Sequence, residues 1–240
     1  MKTLTKITAL LVLLITTSSC FIEGMTGIRG NGNVISEERS INSDFDVIKV
    51  QQGIKLYLTQ GNQTELSIEA DENILDLLIT EVKNNELKIY FDKNVYRAKS
   101  RKVYLTTYSI SKIRTSSGAS VKSENTLQVS SLDIDASSGS SIKMHINANE
   151  VSSESSSGAD IDLYGKTEQF SANASSGSHI DADELEAVDV YAKVSSGANI
   201  DVNVTGKLTA NASSGGDIDF EGNPTKVNKD TSSGGSVSGS

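Results

Sequence analysis

Four aspartates, Asp162, Asp181, Asp201 and Asp219, each stand four residues after the glycine of a Ser-Ser-Gly triplet. Asp160 and Asp217 flank them, two residues after the same glycines. Carboxylates aligned at strand spacing repel one another, and a hard cation such as calcium would relieve this with oxygen ligands. A solvated polar face that keeps strands apart is the simpler reading, and Lys122 and Lys143 in the same column favour it. The nonapeptide calcium repeat is absent, so no metal or other cofactor is expected.

A second group lies in the stretch from Lys93 to Tyr104, KNVYRAKSRKVY. Lys93, Arg97, Lys99, Arg101 and Lys102 alternate there with Tyr96 and Tyr104, in a chain whose formal charge is -9. Charge and ring contact could grip an anionic glycan or a surface polymer. The bland alternative is an exposed charged loop whose long stems cover apolar surface.

Catalytic patterns are missing. His145 and His179 are the only histidines, without the spacing of a zinc pair. No Gly-x-Ser-x-Gly elbow occurs, and the many serines fall at repeat corners. Cys20 is the lone cysteine, which rules out an internal disulfide. An enzyme is not expected.

The elements that carry these residues follow from one phrase written seven times. Ser-Ser-Gly recurs with its glycine at Gly118, Gly139, Gly158, Gly177, Gly197, Gly215 and Gly234, at gaps of 21, 19, 19, 20, 18 and 19 residues. Three residues on stand Val121, Ile142, Ile161, Ile180, Ile200, Ile218 and Val237, always β-branched. The residue just after the glycine is always small, from Ala119 to Gly235. Seven before it, Leu132, Val151, Phe170, Val190, Leu208 and Val227 form another apolar column, which Ser111 breaks. Alternation with period two on both sides predicts strand, corner, strand, then a further bend, with Gly165, Gly206 and Gly222 suited to turning. One such unit cannot bury its apolar side alone, so successive units must stack. The expected fold is all-β: a parallel β-helix, right-handed by the crossover rule.

Residues 1–19 read as a lipoprotein signal peptide. Lys2 and Lys6 precede the apolar run Ile7 to Ile15, and Ser19 stands directly before Cys20. Thr17 occupies a place where the lipoprotein pattern prefers an aliphatic residue. Lipidation of Cys20 would make it the new N-terminus and fasten the chain to the membrane. Loss of Lys2 and Lys6 moves the formal charge from -9 to -11, which disfavours nucleic acid as a partner. Residues 20–33 read as a flexible tether, 34–113 as a β-rich head or cap, and 114–240 as the Ser-Ser-Gly coils, continuous with the head. Within the head, Asn73 to Val82 is the one stretch that suits a helix, with Asp71 or Asn73 as its cap.

Phe45-Asp-x-Ile-x-Val, then Gly53-Ile54-x-Leu-x-Leu, then Glu81-Val-x-Asn-Asn-Glu-Leu-x-Ile precede the serial Ser-Ser-Gly-Ala/Ser-x-Ile coils. In this order, over roughly residues 40–237, the chain resembles the bacterial family named putative auto-transporter adhesin, head GIN domain. The resemblance implies a β-helical lipoprotein or secreted protein of the Bacteroidetes type, and it brings no catalytic residues. The chain reaches Ser240 inside a coil, so no C-terminal translocating barrel is expected. The resulting expectation is a lipid-anchored envelope protein of the outer membrane that binds or adheres, with a glycan or envelope polymer as partner. Its side of the membrane is left open. The alternatives are a carbohydrate-active enzyme on a β-helix and a structural or assembly component with no ligand.

Overall fold

The computed structural model describes residues 27–41 and 44–239. Cys20, the signal segment and the first half of the tether, residues 20–26, lie outside them. The head holds β1 (Ile28–Arg29), β2 (Val34–Arg39), β3 (Val47–Val50), β4 (Lys55–Gln60), β5 (Glu65–Asp71) and a single helical turn, α1 (Glu72–Leu75). It continues with β6 (Leu78–Lys83), β7 (Glu86–Phe91), β8 (Val95–Arg97) and β9 (Arg101–Thr107). The coils are β10 (Lys112–Thr115), β11 (Ser120–Ser123), β12 (Leu127–Ala136), β13 (Ser141–Ser155), β14 (Asp160–Ala174) and β15 (His179–Val194). They end with β16 (Asn199–Val204), β17 (Lys207–Ala212), β18 (Asp217–Glu221), β19 (Lys226–Thr231) and β20 (Ser236–Gly239).

The coils form a parallel β-solenoid. Val121, Ile142, Ile161, Ile180, Ile200, Ile218 and Val237 are successive register partners, as alignment on the glycines requires. On the other side of the corner Leu132, Val151, Phe170, Val190, Leu208 and Val227 stack likewise. Both columns are buried through the middle coils. The further bend shows as paired exposed residues within continuous strands, such as Asn149–Glu150 in β13 and Val188–Asp189 in β15. Gly165 lies three residues before the bend of its own coil, opposite Ile146, with φ +115, and a Cβ there would lie 2.1 Å from the Ile146 carbonyl oxygen. Only glycine lets the two coils approach so closely.

Each Ser-Ser-Gly is a tight turn with both central residues at positive φ, as at Ser117 (55°) and Gly118 (71°), the mark of a type I′ turn. The Ala119 N–H donates to the Ser116 carbonyl and closes the turn, while the Gly118 N–H donates to Ser138 of the next coil. That second bond repeats down the corner, from Gly139 to Ser157 and onward to Ser233. A left-handed serine costs about 1 kcal/mol, and the corner-to-corner hydrogen bonds offset it. The residue after the glycine points inward and is buried from Ala119 to Gly216, which explains why it is small. Where it is serine it is partnered: Ser140 meets Thr115 at 2.9 Å, and Ser178 donates to the Ser155 carbonyl at 2.8 Å. Ser153, between Ile134 and Ala172, is different, since its buried hydroxyl has no hydrogen-bond partner.

The head adds rungs out of chain order. Gln52 and Gly53 repeat the positive-φ corner, so β3 and β4 form a coil directly on β10 and β11. Above it lie β7 and β9, joined by the excursion that carries β8 in place of a corner. Antiparallel β5, then β2, cover the edge of β9, and antiparallel β6 covers β7. The helix expected over 73–82 is only the turn α1, and β6 takes the remainder. The unpaired edge of β7 needs backbone partners, and β6 supplies them through a hairpin turn at Asn84 and Asn85. Ile74, Leu75 and Leu78 are buried there and close the end of the core.

Asp71 stands at the N-cap position of α1, but its side chain makes no capping hydrogen bond. Its buried carboxylate accepts from the backbone N–H groups of Gly32 (2.8 Å), Lys99 (3.0 Å) and Ser100 (2.9 Å). Burial pushes its pKa up, but the three N–H groups and the Lys99 charge outweigh this and hold it below the usual carboxylate range. Asp71 thus fastens the turn before β2 to the loop before β9.

Candidate functional site: a tyrosine-lined groove on the head

Strand alternation turns Lys102, Tyr104 and Thr106 of β9 outward beside Lys55, Tyr57 and Thr59 of β4. The two tyrosines are register partners, and their rings stack with centroids 5.1 Å apart at 15°. On the other flank of Tyr104 runs β5, with Ser67 opposite it. The result is a groove of about 650 Å³ whose walls include Tyr57, Tyr104, Ser67, Glu38, Glu65 and Glu124. Tyr104 is 39% exposed, so ring surface not covered by Tyr57 is open to a ligand.

The surrounding groups are held in place. The Arg39 guanidinium, at one wall, donates to the Leu75 carbonyl at 3.0 Å and to the Leu78 carbonyl, and pairs with Glu37 at 2.6 Å. Lys102 pairs with Glu69 at 2.9 Å, and the Ser100 hydroxyl donates to the same carboxylate at 2.8 Å. The Lys102 hydrogen bond, followed by that of Ser100, holds Glu69 below its ordinary pKa against the opposing effect of burial. Glu69 in turn raises Lys102.

Chemically, this is a contact surface. A tyrosine face gives an apolar platform, and the hydroxyls and carboxylates around it can exchange hydrogen bonds with a hydroxyl-rich ligand. Glu38, Glu65 and Glu124 are all exposed, and among the described residues no histidine or cysteine lines the groove.

The basic stretch that the sequence singles out is divided by the fold. Lys93, Tyr96, Arg97 and Lys99 are exposed on and around β8. The half-buried Arg101 guanidinium lies 6.0 Å from the Phe91 ring centre, and burial lowers its pKa. Lys102 and Tyr104 belong to the outer face of β9, and of the two Tyr104 lines the groove. Tyr57, which sequence reasoning did not place in a site, is the residue whose ring stacks on Tyr104. A signal for it exists: Lys55-Leu-Tyr57-Leu and Lys102-Val-Tyr104-Leu are near-copies.

Asp162, Asp181, Asp201 and Asp219 are register partners on the outer face after the corner. Lys143 lies 3.6 Å from Asp162, and its Nζ also donates to the Tyr164 hydroxyl at 2.7 Å. His179 Nε2 is 3.5 Å from Asp201. Burial raises the pKa of Asp201; His179 opposes this, and Asp219, Asp181 and Asp183 add to it. Among the described residues, no three His, Cys, Asp or Glu side chains converge as a metal site.

A family model described as "Putative auto-transporter adhesin, head GIN domain" matches residues 44–224. Among solved structures, a putative adhesin from Bacteroides fragilis NCTC 9343 is similar at 24% identity and TM-score 0.83, covering 89% of this chain and 100% of that one. A putative adhesin from Parabacteroides distasonis ATCC 8503 matches at 19% and 0.75, covering 89% and 99%. A protein from the same organism described as a putative lipid binding protein matches at 22% and 0.71, with the same coverage. These likenesses speak to the fold. No curated protein matches the sequence.

Proposed function

Because this chain belongs to the putative auto-transporter adhesin, head GIN domain family, we propose that it is a non-catalytic adhesion module of the cell envelope. In this reading Cys20 carries a lipid that holds it to the outer membrane, and the head groove binds a glycan or related envelope polymer. The observation that carries it is the Tyr57–Tyr104 stack, standing in an open groove bordered by exposed carboxylates and hydroxyls. Sugar rings present C–H faces to aromatic platforms and hydroxyls to such acceptors.

The test is retention of the purified protein on a panel of bacterial surface polysaccharides, with Tyr57→Ala/Tyr104→Ala beside it. Each ring contributes about 1 kcal/mol or more, so the double variant should bind at least tenfold more weakly. Unchanged binding by that variant, or none by the parent, would refute the groove as the site. The carboxylates Glu38, Glu65 and Glu124 in the same groove favour a second reading, a carbohydrate-active enzyme. Release of reducing ends from the same panel would select it.

A further inference from the structure

We propose that the end of the head around β1 and β8 is a membrane-facing foot that seats on anionic lipid headgroups. This rests on the lipid anchor at Cys20 proposed above, and it assigns the exposed half of the basic stretch to the bilayer instead of to the groove ligand.

The chain is fixed to the head at this point. β1 runs parallel to β8, with Ile28 opposite Val95 and Arg29 opposite Arg97. The Ile28 N–H donates to the Asn94 carbonyl at 2.8 Å, and the Gly30 N–H to Arg97 at 2.7 Å. At Gly27 a Cβ would lie 2.6 Å from the Asn94 carbonyl oxygen, so the chain passes hard against the loop. From Cys20 to Gly27 is seven residues. Fully extended, these span at most about 25 Å. A lipid on Cys20 therefore keeps β1 and β8 near the bilayer surface whatever path the intervening residues take.

The surface found there suits that location. Arg29, Lys93, Arg97 and Lys99 are exposed, and none has an ion-pair partner among the described residues. Lys99 is steadied by contact with the Gly32 carbonyl at 3.5 Å and by the field of buried Asp71. Asp71, Asp92 and Glu72 are the acids beside them; Asp71 is bound by three backbone N–H groups and Glu72 by Asn33. Tyr96 is 43% exposed between the basic residues, where its amphipathic ring fits the headgroup layer. Basic clusters next to a lipid anchor gain affinity from the negative surface potential of anionic lipids. The acidic column from Asp162 to Asp219 lies in the later coils, away from this end, and the same potential repels it. The foot would thus set orientation: head down, coils projecting outward.

The experiment uses the mature chain with Cys20→Ser, so that binding is read without the lipid. Vesicles of phosphatidylcholine with 30% phosphatidylglycerol are compared with pure phosphatidylcholine vesicles by co-sedimentation, from low salt to about 150 mM. The expected result is binding to the anionic vesicles only, weakening as salt rises. Arg29→Gln/Lys93→Gln/Arg97→Gln/Lys99→Gln should lower it by about fivefold per cation removed at low salt, while Lys193→Gln/Lys207→Gln leaves it unchanged. Circular dichroism checks that all chains are folded. Equal binding by the quadruple variant, absence of binding to anionic vesicles, or binding only to soluble heparin or inorganic phosphate would each overturn the proposal. The anchor fails separately: Cys20→Ser remaining in the cellular membrane fraction after a high-salt wash would sink lipidation and leave the vesicle result standing.

Discussion

Ile180→Ala, but not Asp181→Ala one residue away, should cost the fold several kcal/mol. Ile180 is 0% exposed, with Ile161 and Ile200 as its register partners. The substitution removes three carbons, about 2.5 kcal/mol at roughly 0.8 kcal/mol each. A cavity term adds to this, because strands hydrogen-bonded on both sides cannot close over the gap. The total should approach 4 kcal/mol, in the upper part of the usual range for buried isoleucine. Asp181 points outward, and its charge adds to burial, the larger cause, in raising Asp183 and Asp201. Its removal should be neutral or stabilising by less than about 0.5 kcal/mol once solvent screening is counted. Urea unfolding followed by far-ultraviolet circular dichroism and tyrosine fluorescence gives both values, provided the two probes coincide. A loss below about 1 kcal/mol in Ile180→Ala, or an equal loss in Asp181→Ala, would mean that inside and outside are wrongly assigned.

Ser153→Ala should stabilise by about 1 kcal/mol, since it removes an unpartnered buried hydroxyl without changing the backbone; a loss of stability in the same urea assay would show that the hydroxyl has a partner. For Asp201 burial, with repulsion from Asp219, Asp181 and Asp183 added, raises the folded-state pKa, so the native state binds more protons than the unfolded one from about the ordinary aspartate value of 3.8 upward. Stability from this group therefore falls as pH rises through that window, and its charged form is a net cost at pH 7. Asp201→Asn should raise the melting temperature at pH 7 and have little effect near pH 3; a gain of equal size at both would refute the argument from burial and repulsion.

The coils could be read from the sequence because each rung meets nearly the same surroundings. A fixed repeat of small, β-branched and polar residues states which side is inside, and Ser-Ser-Gly states where the chain turns. Stacking then follows from the need to bury Ile161 against Ile180 and Ile180 against Ile200. The outward place of Asp162, Asp181, Asp201 and Asp219 was legible for the same reason.

The head was not legible in that way, since its contacts join residues of unlike spacing. Gln52 and Gly53 make the same corner as the serine triplets, but the next corner comes at Gly118, after β7 and β9 have been placed on the far side of β3 and β4. The segment 73–82 has apolar residues that suit a helix, yet β6 forms because the edge of β7 must be paired. The groove depends on Tyr57 meeting Tyr104, and the foot depends on β1 lying against β8; both pairings span long stretches of chain. The sequence alone determined the repeating wall, because period and polarity are local properties of every coil. Tertiary structure alone decided which tyrosines and which cations share a surface, because long-range backbone pairing, governed by edges that must be covered, brings them together.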